Sequence, residues 1–370
     1  MSGSKMTTKE KILSALSKTE FVSGESLAGE CDVSRAAVNK AIKSLREDGY
    51  SIEAVTNKGY KILSEPDRID DTEIRREIEG ENANPGNVSA FASIDSTNTE
   101  AKRQCAENGA FRRENGELTE NGKKLHRSLI VSGHQTNGHG RMGRVFVSPA
   151  NSGIYFSLIY SPKEGITNPA LMTAAAAVAV AKAIDELYGI EKNDEKISTQ
   201  IKWVNDVFIK NSKGEFKKIS GILTEGIMNF ETGKIESAIV GIGINVRNGN
   251  FEGEVSKVAG SIEDILKSDG MQKTVSRNKI VARVISHLLK FYDEMENGGQ
   301  VNEMISAYKE KSLLIGKTVT VNPVAGIGGN GYKATVLDIT DGAELVVEDE
   351  SGNKKTLHSG EVSLHSYDFV

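Results

Sequence analysis

The sequence predicts an α+β protein of three parts: a small helical module closed by a hairpin, a larger mixed α/β domain, and a small terminal β-domain. Three observations carry this. The 370 residues call for two or three domains, at roughly 100 to 200 residues each. Apolar residues make up 38% and charged residues 26%, which supplies a core without the bias of a disordered chain. The periodicity also changes along the chain: short helical patterns run to about residue 65, strands mix with Gly-rich loops and long helices over 66–312, and period-two alternation fills 313–370.

Charge and cysteine content narrow the class. Lys plus Arg number 46 against 51 Asp plus Glu, a net charge of -5, so nucleic-acid binding would have to be local. Cys31 and Cys105 make neither a disulfide framework nor a paired metal motif, as expected in a reducing compartment. The longest apolar run, Leu171 to Ala181, stops at Lys182, well short of the roughly 20 residues of a membrane span. Met1 to Glu10 is polar and lacks a secretion signal, so the expectation is a cytoplasmic protein without a membrane partner.

In the first region, an early helix near Ser26 to Glu30 is followed by the tight Cys31-Asp32-Val33 connection. Ser34 then caps a second helix, on which Val38, Ala41, Ile42 and Leu45 recur at helical spacing until Gly49. The opposite face carries Arg35, Asn39, Lys40, Lys43 and Arg46, with no acid between Val33 and Arg46. This is helix-turn-helix spacing. Beyond it, Tyr50 to Val55 and Tyr60 to Leu63 flank the hairpin signal Asn57-Lys58-Gly59, completing a winged-helix pattern. As a DNA reader, the module would set Ser34, Arg35, Asn39, Lys40 and Lys43 against the major groove and Lys58 against phosphate. As a protein-interaction module, the same basic face would simply be solvated.

A polar stretch, Glu65 to Glu81, leads into the second region. There the strand Ser128 to Ser132 opens into Gln135-Thr136-Asn137-Gly138-His139-Gly140-Arg141-Met142-Gly143-Arg144. Its glycines let backbone amides approach a ligand, and two arginines three apart offer paired donors to phosphate or carboxylate. Gly138-x-Gly140-x-x-Gly143 fits the dinucleotide pattern, but Pro149 and the strand Ile154 to Tyr160 follow where that motif needs a helix. A phosphate loop fails as well, because His139 stands where lysine is required. The bland alternative is a Gly-rich hairpin with surface arginines.

Further segments weigh against blandness. Ile94-Asp95-Ser96-Thr97-Asn98 clusters small hydrogen-bonding side chains after a short strand. Ile201-Lys202-Trp203-Val204-Asn205-Asp206 places a lysine beside the only tryptophan at a strand end. Lys218 to Glu225, containing Gly221, and Gly241 to Val246, containing Asn245, are strands whose glycines let a ligand lie against the backbone. The Ala-rich helix Pro169 to Tyr188 packs on a sheet, and the polar stretch Lys102 to Lys124, which holds Cys105, reads as a mobile insertion without function. In the third region, Thr318 to Val321 and Leu345 to Val347 alternate at period two around the turn signals Asp341-Gly342 and Ser351-Gly352-Asn353.

Together these motifs resemble the biotin protein ligase family, in its bifunctional bacterial class that doubles as the biotin operon repressor. The resemblance runs from about Ser23 to Ser363, with five motifs in the family's order. It implies a winged helix-turn-helix over 1–65, a class II synthetase-like ligase domain over 66–312 and an SH3-like barrel over 313–370. It also implies that biotin is activated by ATP to biotinyl-5′-adenylate with release of pyrophosphate, then passed to a lysine of a biotin carboxyl carrier protein. Ser96, Thr97, Asn98 and Gln135, with Gly138, His139, Gly140 and Gly221, would bind biotin. Lys202 and Arg141 would be catalytic, Lys202 at the biotin carboxylate and α-phosphate and Arg141 closing the loop over the adenylate. Arg144, Asn205 and Asn245 would bind ATP, Asn245 at the adenine edge, and Asp206 would help place Mg²⁺.

The resemblance further implies operator DNA as a partner and a homodimer promoted by the adenylate. Three positions depart from the family: His139 stands for the usual arginine, Phe146 for tryptophan and Val204 for proline. Two other functions stay open, a biotin sensor without catalysis and a lipoate-type ligase. Against the first stand Lys202, Arg141 and Arg144 together with Asn245, and against the second the Ser96-Thr97-Gln135 set.

Overall fold

A computed structural model describes residues 7–17, 19–47, 50–64, 67–81, 83–109, 111–113, 115–190, 196–229, 233–248, 251–298, 301–322, 331–358 and 361–364. The helix end expected at Gly49 and the boundary expected at 65/66 lie outside the described residues. Two compact units divide the chain, Met1–Arg68 and Ile69–Val370. No described helix is long and apolar enough to cross a membrane.

The first unit holds α1 (Thr8–Ala15), α2 (Gly24–Cys31), α3 (Arg35–Glu47), β1 (Ser51–Val55) and β2 (Gly59–Ser64). Thr7 and Glu10 close a capping box on α1, and Ser34 accepts from the Ala37 amide at 3.2 Å to cap α3. Between α2 and α3, Asp32 takes a left-handed conformation at φ 54°, which makes the turn tight. Val38, Ala41, Ile42 and Leu45 of α3 close over Ile12, Leu27, Cys31, Ile52 and Ile62 in one core. The apolar positions at helical spacing thus form the core face, as expected.

In the second unit, α4 (Asp71–Gly80), β3 (Val88–Phe91), α5 (Thr97–Asn108), α6 (Glu120–Leu125), β4 (Leu129–Ser132) and β5 (Gly153–Tyr160) come first. After them run α7 (Pro169–Tyr188), β6 (Ser198–Lys202), β7 (Asp206–Lys210), β8 (Phe216–Met228) and β9 (Ile235–Asn245). The helices α8 (Gly253–Val258), α9 (Ile262–Ser268), α10 (Arg277–Glu296) and α11 (Asn302–Glu310) follow. Five strands end the unit: β10 (Thr318–Asn322), β11 (Tyr332–Ile339), β12 (Leu345–Asp349), β13 (Lys354–Leu357) and β14 (Glu361–Leu364).

Seven strands form one sheet in the order β3-β4-β5-β9-β8-β7-β6, antiparallel except for the parallel pair β3 and β4. The Ala-rich α7 lies on it, and its alanines from Ala174 to Ala177 are fully buried, small enough to bring helix and sheet close. The terminal strands form an antiparallel sheet, β13-β12-β11-β10-β14, whose Val319, Val336, Ile339 and Leu345 join the same hydrophobic core as α7 and α10.

One expectation is corrected. The stretch Lys102 to Lys124 is not a loose insertion: α5 and α6 bury Cys105, Phe111 and Leu125 against Ile130, Ile159 and Ile239 in a second small core. The helical run of Ala101 and Cys105 and the isolated Phe111 were its signal, hidden by the charged residues around them. Burial pushes the Cys105 thiol up to about 12, so it is no nucleophile at neutral pH.

The hairpin turn between β1 and β2 depends on Gly59. Its φ is +110°, and a Cβ there would sit 2.0 Å from the Val22 carbonyl oxygen. Gly59→Ala is therefore expected to destabilise the first unit by about 1–3 kcal/mol. Denaturant unfolding of residues 1–68 that leaves the midpoint unmoved would refute this.

Candidate active site

A cavity of about 310 Å³ opens where the N-terminus of α5, the loop after β4, the β6–β7 hairpin and strands β8 and β9 converge. One end of it is polar and neutral. Ser96 caps α5, accepting from the Thr99 amide at 3.5 Å, so the next residues start a helix aimed away from the cavity. Thr97 donates to Gln135 Oε1 through its backbone amide at 2.9 Å and its hydroxyl at 3.3 Å. Gln135 passes the chain on to Ser148, donating from Nε2 at 3.0 Å. Ser96, Thr97 and Asn98 are all buried, so these directions are fixed by packing rather than chosen by solvent.

The other end is cationic. Arg141, Arg144, Lys202 and Lys218 line it, against Asp206 as the one carboxylate among the described lining residues. Asp206 faces Lys202 across the three-residue β6–β7 turn and pairs with Lys218 Nζ at 2.7 Å. Arg141 lies in a single helical turn, Arg141–Gly143, and donates to Asn205 Oδ1 at 3.1 Å, so the glycine loop reaches across to the β6–β7 turn. A surplus of fixed positive charge in a partly enclosed space makes an anion site. Among the described residues no group of three or more His, Cys, Asp or Glu could hold a metal ion. The donor set does fit a Mg²⁺ held mainly by a ligand's own phosphates, with Asp206 as its single protein carboxylate.

Between the two ends the floor is backbone. Gly221, Gly241 and Gly243 sit on β8 and β9, and the Phe146 ring lies over Gly243, where a Cβ would come within 2.5 Å of it. Phe146 meets Tyr155 edge-on, with ring centroids 6.2 Å apart. The loop neck closes by a bond from the Phe146 amide to the Gly138 carbonyl at 3.0 Å, while Met142 and Val145 stay exposed on its tip.

The strand that carries Lys202 is the outermost of its sheet, and the chain closes that edge itself. Ile201 donates to the Lys311 carbonyl at 2.7 Å, and Leu313 donates back to Ile201 at 2.8 Å. Next to Lys202, the Trp203 indole donates to the Ala343 carbonyl of the terminal sheet at 2.8 Å, and the Tyr308 hydroxyl donates to the Val204 carbonyl at 3.2 Å. The terminal sheet also contributes Asn322 directly to the cavity wall.

Most of the residues singled out from sequence meet here: Ser96, Thr97, Asn98, Gln135, His139, Gly140, Arg141, Arg144, Lys202, Asn205, Asp206 and Gly221 all line the cavity. Two are placed outside the lining. Gly138 is buried at the loop neck, and Asn245 ends β9 opposite Gly153, only 8% exposed. Sequence reasoning missed Lys218, Leu223, Tyr155 and Asn322. Lys218 had a signal, a lysine three residues before Gly221 on the same strand, whereas Asn322 had none because its neighbourhood is set by a strand 120 residues from Lys202.

In the first unit, Ser34, Arg35, Asn39, Lys40, Lys43 and Lys58 are all exposed. Asn39 accepts from the Tyr60 hydroxyl at 2.6 Å, tying α3 to the hairpin. Arg46 instead donates to the Ile52 carbonyl at 3.2 and 2.7 Å, which makes it a brace between helix and strand.

With this geometry in place, comparison with known proteins is direct. Residues 91–245 match the biotin/lipoate A/B protein ligase family, and residues 8–61 match a helix-turn-helix domain. The bifunctional ligase/repressor BirA of Bacillus spizizenii is 31% identical over 353 residues, 94% of each chain. That of Escherichia coli is 26% identical, covering 97% of this chain and 98% of its own. Among solved structures, the biotin protein ligase from Aquifex aeolicus in complex with biotin and ATP matches 75% of this chain and 98% of its own, with a TM-score of 0.56 at 23% identity, a likeness of fold. Sustained end to end and enclosing both matched domains, the Bacillus identity places this chain in the biotin protein ligase family, in its bifunctional ligase/repressor class.

Proposed function

We propose that this protein joins biotin to a carrier protein at the expense of ATP and regulates transcription with the same intermediate. The observation that carries the reading is the cavity's division: a neutral hydrogen-bonding end sized for a small heterocycle, and an end with four cations for phosphate and carboxylate. In the first step a biotin carboxylate oxygen attacks the α-phosphorus, the bond to the bridging oxygen breaks, and pyrophosphate leaves. In the second the acceptor lysine amine attacks the acyl carbon, AMP leaves, and the amine gives up a proton. Both steps build negative charge on oxygen, so preorganised cations and positioning suffice, and no enzyme nucleophile is called for.

In this reading Lys202 sits at the junction of carboxylate and α-phosphate, where it offsets charge in both ground and transition state. Arg141 and Arg144 hold phosphate oxygens, and the Arg141 to Asn205 contact is how the glycine loop closes and keeps water from the adenylate. Mg²⁺, when bound, screens the charge of the leaving pyrophosphate, with Asp206 as its protein ligand. Asn245 and Gly138, which stand outside the lining, serve adenine and biotin respectively. The acceptor is a biotin carboxyl carrier protein.

The first unit, with residues 1–65 as a winged helix, binds operator DNA through Ser34, Arg35, Asn39, Lys40 and Lys43 on α3 and Lys58 on the hairpin. The adenylate favours a homodimer, which aligns two such units, so repression follows the supply of unused intermediate. The division into a ligase domain over 66–312 and an SH3-like domain over 313–370, and a cytoplasmic location, belong to the same proposal.

Four experiments test it. Incubation with biotin, ATP and Mg²⁺ followed by mass spectrometry should reveal biotinyl-adenylate, and then a carrier domain heavier by one biotin. Lys202→Ala should cut adenylate formation by on the order of 10²–10³ while the melting temperature holds; normal turnover would remove Lys202 from the chemistry. Arg141→Gly should speed adenylate release, and an unaltered release rate would end the lid role. Gel shifts with the full chain should tighten on adding biotin plus ATP and vanish on deleting residues 1–65; binding indifferent to both ligands would sink the repressor half.

A further inference from the structure

We infer that Glu225, paired with Lys102, is a positioning residue that keeps Thr97 a strong hydrogen-bond acceptor at the neutral end of the cavity, and thereby favours a cyclic urea. This deepens the ligase reading and rests on it. Asn98 was expected to touch biotin, yet both ends of its buried carboxamide are engaged inside the protein. Its Nδ2 donates to Glu225 Oε2 at 2.9 Å and to the Leu223 carbonyl at 3.3 Å, and its Oδ1 accepts from the Ser157 hydroxyl at 2.6 Å. The amide also lies flat on β9: a Cβ at Gly241 would fall 2.1 Å from Asn98 Oδ1.

A carboxamide fits its slot almost equally well in two flips, and the partners decide between them. Glu225 is a carboxylate that can only accept, and Lys102 Nζ, 2.6 Å from its Oε1, holds it turned toward Asn98. Nδ2 must therefore face Glu225, and Oδ1 must face Ser157. Ser157 has one proton, and its Oγ lies 2.6 Å from Asn98 Oδ1 and 2.8 Å from Thr97 Oγ1. An inverted Asn98 would donate to Ser157 and drive that proton wholly onto Thr97.

Thr97 in turn gives its own proton to Gln135 Oε1, whose orientation the Thr97 backbone amide fixes. With the Ser157 proton held on Asn98, what Thr97 presents to the cavity is a lone pair with little competition from Ser157. A lone pair there recognises an N–H, as a cyclic urea offers and a dithiolane ring does not. How far the Ser157 proton competes for Thr97, and so how good an acceptor Thr97 is, is thus governed from Glu225 through Asn98 and Ser157.

The test is a double-mutant cycle on the full chain, with calorimetric biotin affinity and KM values for biotin and ATP. Glu225→Leu should weaken biotin by on the order of tenfold, as loss of a charge-assisted bond implies, while KM for ATP moves by less than about twofold. Glu225→Gln, which can still accept from Asn98, should recover most of that loss. In an Asn98→Ala background Glu225→Leu should add nothing, since its effect runs through Asn98. An undiminished effect in that background, equal losses for biotin and ATP, or unchanged biotin affinity would each overturn the inference. If Glu225→Leu does not fold, Glu225→Ala takes its place in the cycle. Failure of the unaltered protein to make adenylate would instead count against the ligase reading, because biotin affinity reports on Glu225 without turnover.

Discussion

The short hairpin from Lys202 to Asp206 is the constraint on which the site depends, because it sets a lysine and a carboxylate of the same turn against the arginines of the glycine loop. Left to itself such a hairpin would be the frayed rim of a sheet. Here the backbone of Lys311 to Leu313 completes its hydrogen bonds, and the Trp203 indole anchors it to the terminal sheet. The price of holding several cations in one wall is met by this frame. Arg141 reaches the same turn through Asn205, so the loop and the hairpin share one fixed point.

The terminal sheet therefore supports the cavity although, among the described residues, it supplies a single lining residue, Asn322. Its apolar face continues the core built by α7 and α10, and its Ala343 carbonyl satisfies the only tryptophan. The cavity wall in this fold is distributed: its lining comes from the start of α5, the loop after β4 and the strands β6 to β9, and its rigidity from elements far along the chain.

Much of this was legible in the sequence. The α3 core stripe, the α7 span from Pro169 to Tyr188 and the strands around Gly221 and Gly243 all follow from periodicity and punctuation, because those are local properties. Twelve of the residues singled out converge on one cavity because the motifs sit at strand ends and loops, where the sheet must bring them together. What escaped was relational. That Arg46 braces Ile52, that Asn98 is consumed by Glu225 and Ser157, and that Phe111 roots a second core are facts of tertiary contact. No spacing rule encodes them.

The surplus of positive charge in the cavity wall also bears on the end of the reaction cycle. Arg141, Arg144, Lys202 and Lys218 outnumber Asp206 whether or not substrate is present. Such a wall draws in anions through its field over about a Debye length, roughly 8 Å at physiological ionic strength. It cannot tell arriving nucleotide from departing pyrophosphate by charge alone. In the proposed reaction the electrostatics that favour activation also favour rebinding of pyrophosphate, an attraction that weakens as salt rises.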